Sequence, residues 1–262
     1  MKRPIASRVI LAATLVFLYA PILVLIVLSF NDSRFGVRWN GFTLRWYARL
    51  FDSPENAAAL INTLIVSVTA TVIATLFGTM LAIGLDLYHN RFRRPVEALI
   101  YAPVVLPDIV MAITTLALYV TIHLPLGRVS IILAHIVFQT SFVALVVRGR
   151  LQEFPASVIE AARDLGATQL QTLRRIVLPL LAPGIVTAAL IAFALSVDDF
   201  VITYFTAGAG ASTLPLRIYS MVKRGVTPDI NALSTIMLIV TIAALWGAAR
   251  IGNITLRRQA TS

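Results

Sequence analysis

Two neighbouring aspartates, Asp198 and Asp199, lie in the otherwise almost wholly apolar stretch LSVDDFVITYF, and Asp108 lies in the similar stretch LPDIVMAI. Carboxylates in such surroundings bind a cation, share a proton with a second acid, or pair with a basic side chain elsewhere. The choice among these depends on the solvent that surrounds the two stretches. The elements that carry the carboxylates must therefore be identified first.

Composition places the chain in a membrane. Hydrophobic residues make up 58% of it, charged residues make up 13%, and the mean hydropathy is +0.87, values that do not describe a soluble domain. A bilayer core about 30 Å thick needs about 20 apolar residues for each helical crossing. Six such stretches predict an all-α polytopic membrane protein with six transmembrane helices in a single domain over residues 1–262. They are Val9–Phe30, Ala57–Leu85, Ala98–Val120, Val129–Val147, Leu180–Tyr204 and Ala232–Ala249.

The distribution of lysine and arginine predicts the orientation. Fourteen of the 22 lie at the two termini and in the second and fourth loops, and the other eight lie in the first, third and fifth loops. Because cytoplasmic loops are enriched in these residues, both termini are expected to face the cytoplasm. The net charge of +10 then follows from this bias and suits anionic lipid headgroups. No basic domain indicates a nucleic-acid partner.

Two of the outward loops carry helical patterns. In FTLRWYARLF, Thr43 can cap a short amphipathic helix that has Leu44, Tyr47 and Leu50 on one face. TLPLRIYSMVKRG predicts a second short helix that ends at Gly225. Each helix is either an interfacial packing element or a docking surface for an outside partner, and the pattern favours neither.

The fourth loop has the strongest local pattern. Ser157 and Glu160 have the spacing of a capping box, and the following residues form helices readily until Gly166. A second helix is expected over Leu170–Leu178, and Pro179 is expected to break it just before the fifth span. A pair of short helices on the cytoplasmic face indicates a soluble partner.

The residues of this loop match, at every defined position, the EAA---G---------I-LP signature of permeases of binding-protein-dependent ABC importers. The chain therefore resembles that family. The match covers the twenty positions from Glu160 to Pro179, within a loop over residues about 148–179 that we call the coupling loop. The resemblance implies a type I permease bundle in which the helix before the glycine is a coupling helix docked in a groove of an ATPase subunit. In that role Glu160 would face a basic or amide-donating groove wall, Ala161 and Ala162 would permit close approach, and Gly166 would form the turn. The matched residues are Glu160, Ala161, Ala162, Gly166, Ile176, Leu178 and Pro179.

Further segments narrow the resemblance to spermidine/putrescine permeases of bacterial cytoplasmic (inner) membranes. It implies polyamine import by one copy of this chain beside a homologous permease, two ATPase subunits and an extracytoplasmic binding protein. No GxxxxGK[ST] sequence occurs, so ATP and Mg are expected on the ATPase, with no cofactor and no enzymatic activity on this chain. A permease for another small cationic or amine solute is the alternative. The segments are SFNDSRFGVRWNGFTLRWY, LPDIVMAI, SVDDFVITYF and TLPLRIYSMVKRGVTPDINALSTI.

The chemistry of the three aspartates agrees with a cationic cargo. On straight helices that rise about 1.5 Å per residue, Asp108 would lie near mid-bilayer and Asp198 near the outer edge. Neither span supplies a lysine or arginine, so a polyammonium substrate can neutralise these carboxylates. Adjacent helical residues point about 100° apart, so we expect Asp198 to line the path. Asp199 would bond to a neighbouring helix or to the outside loop.

Three other polar side chains are candidates for contact with a substrate or a metal. Tyr204 and Tyr219 could contact the amines of a substrate through cation–π interactions. His135 has no second histidine or cysteine at metal spacing, and the chain contains no cysteine, so no metal site is expected. We expect His135 to be a packed, hydrogen-bonded residue.

Three alternatives to a polyamine path must be considered. The acids could pair with arginine or lysine of a neighbouring subunit and only hold an assembly together. An intramembrane aspartyl protease would also need two aspartates, but no Gly-x-Gly-Asp sequence occurs. A self-sufficient channel or carrier would leave the cytoplasmic helix pair without a purpose. The coupling loop favours the permease over these.

Overall fold

The computed structural model describes residues 5–33, 38–87, 93–153, 156–225 and 227–259. Within these ranges the chain is almost entirely helical, which confirms the all-α prediction. The elements, in chain order, are α1 Ile5–Ser29, α2 Arg45–Asp52, α3 Pro54–Leu87, α4 Arg93–Val105, α5 Asp108–Thr121, α6 Arg128–Gln152, α7 Ala156–Asp164, α8 Gln169–Thr172, a π-helical turn Leu173–Val177, α9 Leu178–Asp198, α10 Val201–Thr206, α11 Leu214–Arg224 and α12 Pro228–Gln259.

The third expected span, Ala98–Val120, is not one straight helix. Five other helices of the described residues are long and apolar enough to cross a membrane, and this sixth candidate consists of α4 and α5, which meet at a bend of 116°. Pro107 has an extended backbone at the bend, with φ −61° and ψ 140°. Because proline disfavours helix in the residue before it and lacks an N–H, α4 ends and α5 begins anew at Asp108. The straight helix assumed for Asp108 is therefore not present.

The fifth expected span, Leu180–Tyr204, is also broken. Helix α9 ends at Asp198, Asp199 adopts an extended ψ of 123°, and α10 begins at Val201. No proline or glycine marks this break. The carboxylate of Asp199 instead accepts a hydrogen bond from the backbone N–H of Thr203, at 2.8 Å, as a capping residue does at the start of a new helix.

Close packing of α3 against α6 forms the centre of the bundle. Ala70, Ala74 and Ala82 are fully buried at four-residue intervals along α3, and Gly78 completes the series. A Cβ atom at Gly78 would lie 2.7 Å from Cβ of Val143 on α6. Small residues with this spacing allow membrane helices to approach closely. This pair, with α9 packed against it and α12 packed against α9, holds the site described below.

Short helices cover the two ends of the bundle, which we call the α2 end and the α7 end. At the α2 end, Trp46 is 2% exposed and its Nε1 donates to the carbonyl of Asn31 at 2.8 Å. Leu50 is also buried, whereas Leu44 is exposed, so only part of the predicted apolar face of α2 packs against the chain. The predicted α11 helix is confirmed, and it ends before Gly225, which has a φ of +122°.

Candidate functional site

The three predicted aspartates meet at one cavity of about 510 Å³. Asp108 comes from the start of α5, Asp198 from the end of α9, and Asp199 from the junction that follows. The two breaks in α4–α5 and α9–α10 thus bring carboxylates that are distant in sequence to the same place. None of the described residues that line this cavity is basic. The others are Phe138, Phe142, Ile191, Ala194, Leu195, Phe200, Val201, Ile202, Thr241 and Leu245.

Asp108 and Asp198 are the available carboxylates of the cavity. Both side chains are exposed, and within the described residues neither has a hydrogen bond or an ion pair. Asp108 also lies in the first turn of α5, where the helix dipole stabilises a negative charge. The two carboxylates can therefore bind a positively charged group that enters the cavity.

Asp199 lines the same cavity, but its carboxylate is mostly buried and hydrogen-bonded within the protein. Its side chain is only 11% exposed. One oxygen, Oδ2, accepts from the Thr203 N–H at 2.8 Å and the Thr203 hydroxyl at 2.7 Å, and it lies 3.2 Å from Nε2 of His135. The expected bond to a neighbouring helix is present, since His135 belongs to α6. The lone pairs of Asp199 are thus largely occupied by the protein, and its role in a substrate pathway stays a prediction.

Tyr204 does not line the cavity. It is 49% exposed and belongs to an aromatic cluster in which its ring lies 5.5 Å from Phe200 and 6.1 Å from Tyr219. The Lys223 Nζ lies 4.6 Å from the centre of the Tyr219 ring, so that ring already has a cation from its own chain. Phe200 also lines the cavity of the three aspartates, which we call the acidic cavity, so the aromatic cluster borders this cavity. Cation–π contact between Tyr204 and a substrate stays a prediction.

The helix–glycine–helix outline of the coupling loop is confirmed. Helix α7 contains Glu160 and ends where Gly166 adopts a φ of +84°, a left-handed conformation that favours glycine. The N–H of Ala167 donates to the Ala162 carbonyl at 3.0 Å, which closes the turn in the manner of a Schellman motif. Glu160 and Ala161 are exposed, whereas Ala162 is 7% exposed. Ala162 therefore packs within this chain, and its contribution to close approach of an ATPase subunit stays a prediction.

The capping residues of the loop differ from those expected. Helix α7 begins at Ala156, so Ser157 lies inside its first turn. Phe154 and Pro155, which precede it, lie outside the described residues. A capping box is present instead at the start of α8, where the Thr168 hydroxyl accepts from the Gln171 N–H and the Gln171 side chain accepts from the Thr168 N–H. The T-x-x-Q spacing in the sequence could have indicated it.

Pro179 does not break the helix that follows the turn. Helix α8, the π-helical turn and α9 run on as one helical segment, and Pro179 lies in the first turn of α9. A π-helical turn is wider than an α-helical one, which accommodates the missing N–H and the bulk of the proline ring. Leu178 packs beside the buried Val177 against the bundle, and Ile176 is half-buried. These residues join the coupling loop directly to the helix that carries Asp198.

An ion-pair network at the α7 end is not predicted by the sequence. Arg148 of α6 is buried and donates to Asp86 of α3 at 2.9 Å and to Glu97 of α4 at 2.8 Å. Arg93 donates to Glu97 at 3.0 Å. Asp86, Glu97 and Arg148 each lie directly beside an apolar stretch, where loop charges are ordinary, so the sequence does not predict that they pair. The network fixes three helix ends beside the coupling loop.

Replacement of Arg148 by alanine is expected to destabilise the protein by about 3 kcal/mol, because it leaves two carboxylates without their main buried partner. The measurement is the midpoint of thermal unfolding of the purified protein in detergent. Arg94→Ala, which removes an exposed arginine at the start of α4, is the control and should leave the midpoint nearly unchanged. Equal midpoints for the two variants would show that the network does not stabilise the bundle.

Comparisons with known proteins agree with this geometry. Residues 74–254 match the family described as binding-protein-dependent transport system inner membrane component. The chain is 41% identical over 232 residues to the spermidine/putrescine transport system permease protein PotC of Escherichia coli K12, covering 88% of each chain. It is 40% identical over 227 residues to PotC of Haemophilus influenzae, covering 87% of this chain and 88% of the relative. The putrescine transport system permease protein PotI of E. coli K12 is 40% identical over 238 residues, covering 88% and 84%.

Solved structures share the fold at lower identity. A bacterial alginate ABC transporter in complex with a periplasmic protein bound to an alginate pentasaccharide matches with a TM-score of 0.71 and 20% identity, over 93% of this chain and 92% of that one. The MetNI methionine ABC transporter, in an inward-facing conformation, matches with a TM-score of 0.63 and 22% identity, over 81% and 99%. These matches show the fold of an ABC importer permease.

Proposed function

Because the chain belongs to the family of binding-protein-dependent transport system inner membrane components, a family of permeases rather than enzymes, we propose that it forms the membrane path of an ATP-driven polyamine importer. The cargo is putrescine, spermidine or both, carried into the cytoplasm. The names of the relatives support this cargo. The observation that carries the proposal is the cavity that Asp108 and Asp198 line, in which no other lining residue in the described part of the chain is basic.

The charge of the cavity suits a cargo with several amines. At about 4 Å and an effective dielectric constant near 20, one amine–carboxylate pair is worth roughly 4 kcal/mol before the desolvation of either group. Two separate carboxylates can bind two amines of one polyamine and thereby select a polycation over a neutral solute. A transport site must also release its cargo. Two carboxylate–amine contacts of moderate strength allow release more readily than one enclosed binding site.

The wall of the cavity suits the rest of such a molecule. Apart from the acids and Thr241, its lining is made of aromatic and aliphatic side chains, which can contact the methylene segments between the amines of a polyamine. A small inorganic cation has no methylene segments and would therefore gain nothing from these apolar surfaces. The combination of separated negative charges and apolar wall therefore favours an organic polycation.

The coupling loop indicates the remaining subunits of the importer. We assign the α7 end to the cytoplasm, together with both termini, so that the exposed Glu160 and Ala161 face an ATPase subunit that binds ATP and Mg. A second ATPase subunit, a homologous permease and an extracytoplasmic polyamine-binding protein at the α2 end complete the assembly. No cofactor is required on this chain. Lipid would surround α1, whose described side chains up to Val24 are exposed and mainly apolar.

Transport by the complete assembly in liposomes tests the proposal. Radiolabelled putrescine and spermidine should accumulate inside only when ATP and the binding protein are both present. A monovalent organic amine and a neutral sugar serve as competitors, and neither should reduce the uptake of the labelled polyamines. Accumulation of another amine solute without uptake of either polyamine would assign the permease to that solute. Uptake without ATP would indicate a self-sufficient carrier.

A further inference from the structure

The side chain of His135 bridges the two sides of the break between α9 and α10. Its Nδ1 lies 2.7 Å from the hydroxyl of Ser196 on α9, and its Nε2 lies 3.0 Å from the hydroxyl of Thr203 on α10 and 3.2 Å from Asp199 between them. His135, Ser196 and Thr203 are 1%, 4% and 0% exposed. One imidazole from α6 thus contacts the helix before the break, the helix after it and the residue at the break.

The hydrogen bonds of this group are mutually satisfied. A neutral imidazole can donate from Nε2 to Asp199 and Thr203 while Nδ1 accepts from the Ser196 hydroxyl. The Thr203 hydroxyl in turn donates to Asp199 at 2.7 Å. Because buried polar groups that lose a partner are costly, the four side chains hold one another in a single arrangement. The angle between α9 and α10 is thereby tied to α6.

Two paths lead from His135 to the wall of the acidic cavity. Asp198, the last residue of α9, directly precedes the bonded Asp199, so rotation at the break would move the Asp198 carboxylate. The ring of Phe138 lies 5.3 Å from the imidazole in an edge contact, and Phe138 lines the cavity. His135 itself is not among the lining residues. It can therefore influence a substrate only through its neighbours.

We propose that His135 is a positioning residue for the substrate path: it locks the α9–α10 break and so directs the Asp198 carboxylate into the cavity. The inference rests on the proposed function, since it concerns how that site is held. It assigns Asp199 to this lock, in which its carboxylate accepts from the Thr203 N–H of α10, and leaves Asp108 and Asp198 as the groups that contact the substrate.

The test is the coupling ratio, defined as the amount of polyamine transported per ATP hydrolysed by the complete importer in liposomes. His135→Leu removes the hydrogen bonds and keeps an apolar side chain of moderate size. We expect the ratio to fall about tenfold, which corresponds to about 1.4 kcal/mol, while stimulation of ATP hydrolysis by the loaded binding protein is retained. His135→Gln can donate to Asp199 and accept from Ser196, so it should recover most of the ratio. His123→Asn replaces an exposed histidine outside the cavity and is the matched control.

A second comparison tests whether His135 acts through Asp198. Once Asp198→Asn has removed the charge, misplacement of that residue matters little, so His135→Leu should add almost no further loss in the double variant. A full additional tenfold loss, an unchanged ratio in His135→Leu, or equal losses of uptake and ATP hydrolysis would each overturn the positioning role. If His135→Leu does not assemble, Ser196→Ala, which removes one bond of the lock, is measured against the same criteria. Normal transport by Asp198→Asn would instead overturn the proposed substrate path.

Discussion

Asp108→Asn and Asp198→Asn are each expected to lower polyamine uptake by at least about tenfold, the equivalent of about 1.4 kcal/mol. Asparagine keeps the shape of the side chain and removes its charge, so the loss measures attraction between a carboxylate and an amine. A loss of this size is smaller than the roughly 4 kcal/mol of an unscreened pair, because desolvation of both groups opposes their attraction. The measurement is initial uptake of radiolabelled putrescine and spermidine, with ATP hydrolysis followed in parallel.

The double variant sharpens this prediction. A polyamine that contacts both carboxylates should be transported less by Asp108→Asn/Asp198→Asn than by either single variant. Asp52→Asn, which removes an exposed acid at the α2 end, is the control and should transport normally. Wild-type uptake by both single variants would make the two carboxylates structural, for instance partners of basic residues on a neighbouring subunit. The assignment of the chain to the permease family would survive that result.

Gly166→Pro is expected to abolish transport while the protein still inserts into the membrane. Proline holds φ near −65°, whereas Gly166 requires +84° to close the turn between α7 and α8. The substitution would therefore displace the exposed face of α7 relative to the helical segment that leads to Asp198. Glu160→Lys should give a related defect through charge, because it reverses the sign of a side chain expected to meet a basic or amide-donating groove wall. Uptake and the stimulation of ATP hydrolysis by the loaded binding protein report both effects.

A matched substitution separates the shape of the turn from the identity of the residue. Asparagine adopts the left-handed conformation more readily than other non-glycine residues, so Gly166→Asn should keep most of the transport activity. Retained transport in Gly166→Pro would show that the turn does not transmit motion. Loss of the Gly166→Pro protein from the membrane would show that the substitution impairs folding rather than coupling. Transport by Glu160→Lys would then test the assignment of α7 as the coupling helix.

The sequence predicted the membrane spans well because long apolar stretches have few alternative structures in a bilayer. It also predicted the helix, glycine turn and helix of the coupling loop, because Gly166 has a conformational role that few residues can fill. The same local rules failed at Pro179, which was expected to end a helix. The π-helical turn before it depends on packing of Val177 and Leu178 against the bundle, which no local pattern indicates.

The geometry of the acidic cavity depended on contacts between distant residues. The sequence of the fifth span gives no sign that α9 ends before Asp199. The break is stabilised by His135, which belongs to another helix. Arg148, Asp86 and Glu97 likewise form their network only after α3, α4 and α6 have packed together. The proline at position 107 did signal the other break, although the bend of 116° could not be calculated from it. The sequence thus indicated the three carboxylates that line this cavity, but not how they are arranged.

Protection of a single cysteine by substrate tests most directly whether the acidic cavity lies on the polyamine path. The chain contains no cysteine, so Thr241→Cys places a unique thiol of this chain in the wall of the cavity and leaves all three aspartates intact. Its rate of modification by a small cationic thiol reagent is measured in the assembled importer, with and without spermidine. Ser220→Cys, on the exposed surface of α11, is the control. At spermidine concentrations about ten times its dissociation constant, modification at position 241 should slow roughly tenfold, with no change at position 220. Equal rates at position 241 with and without spermidine would contradict a substrate path through this cavity.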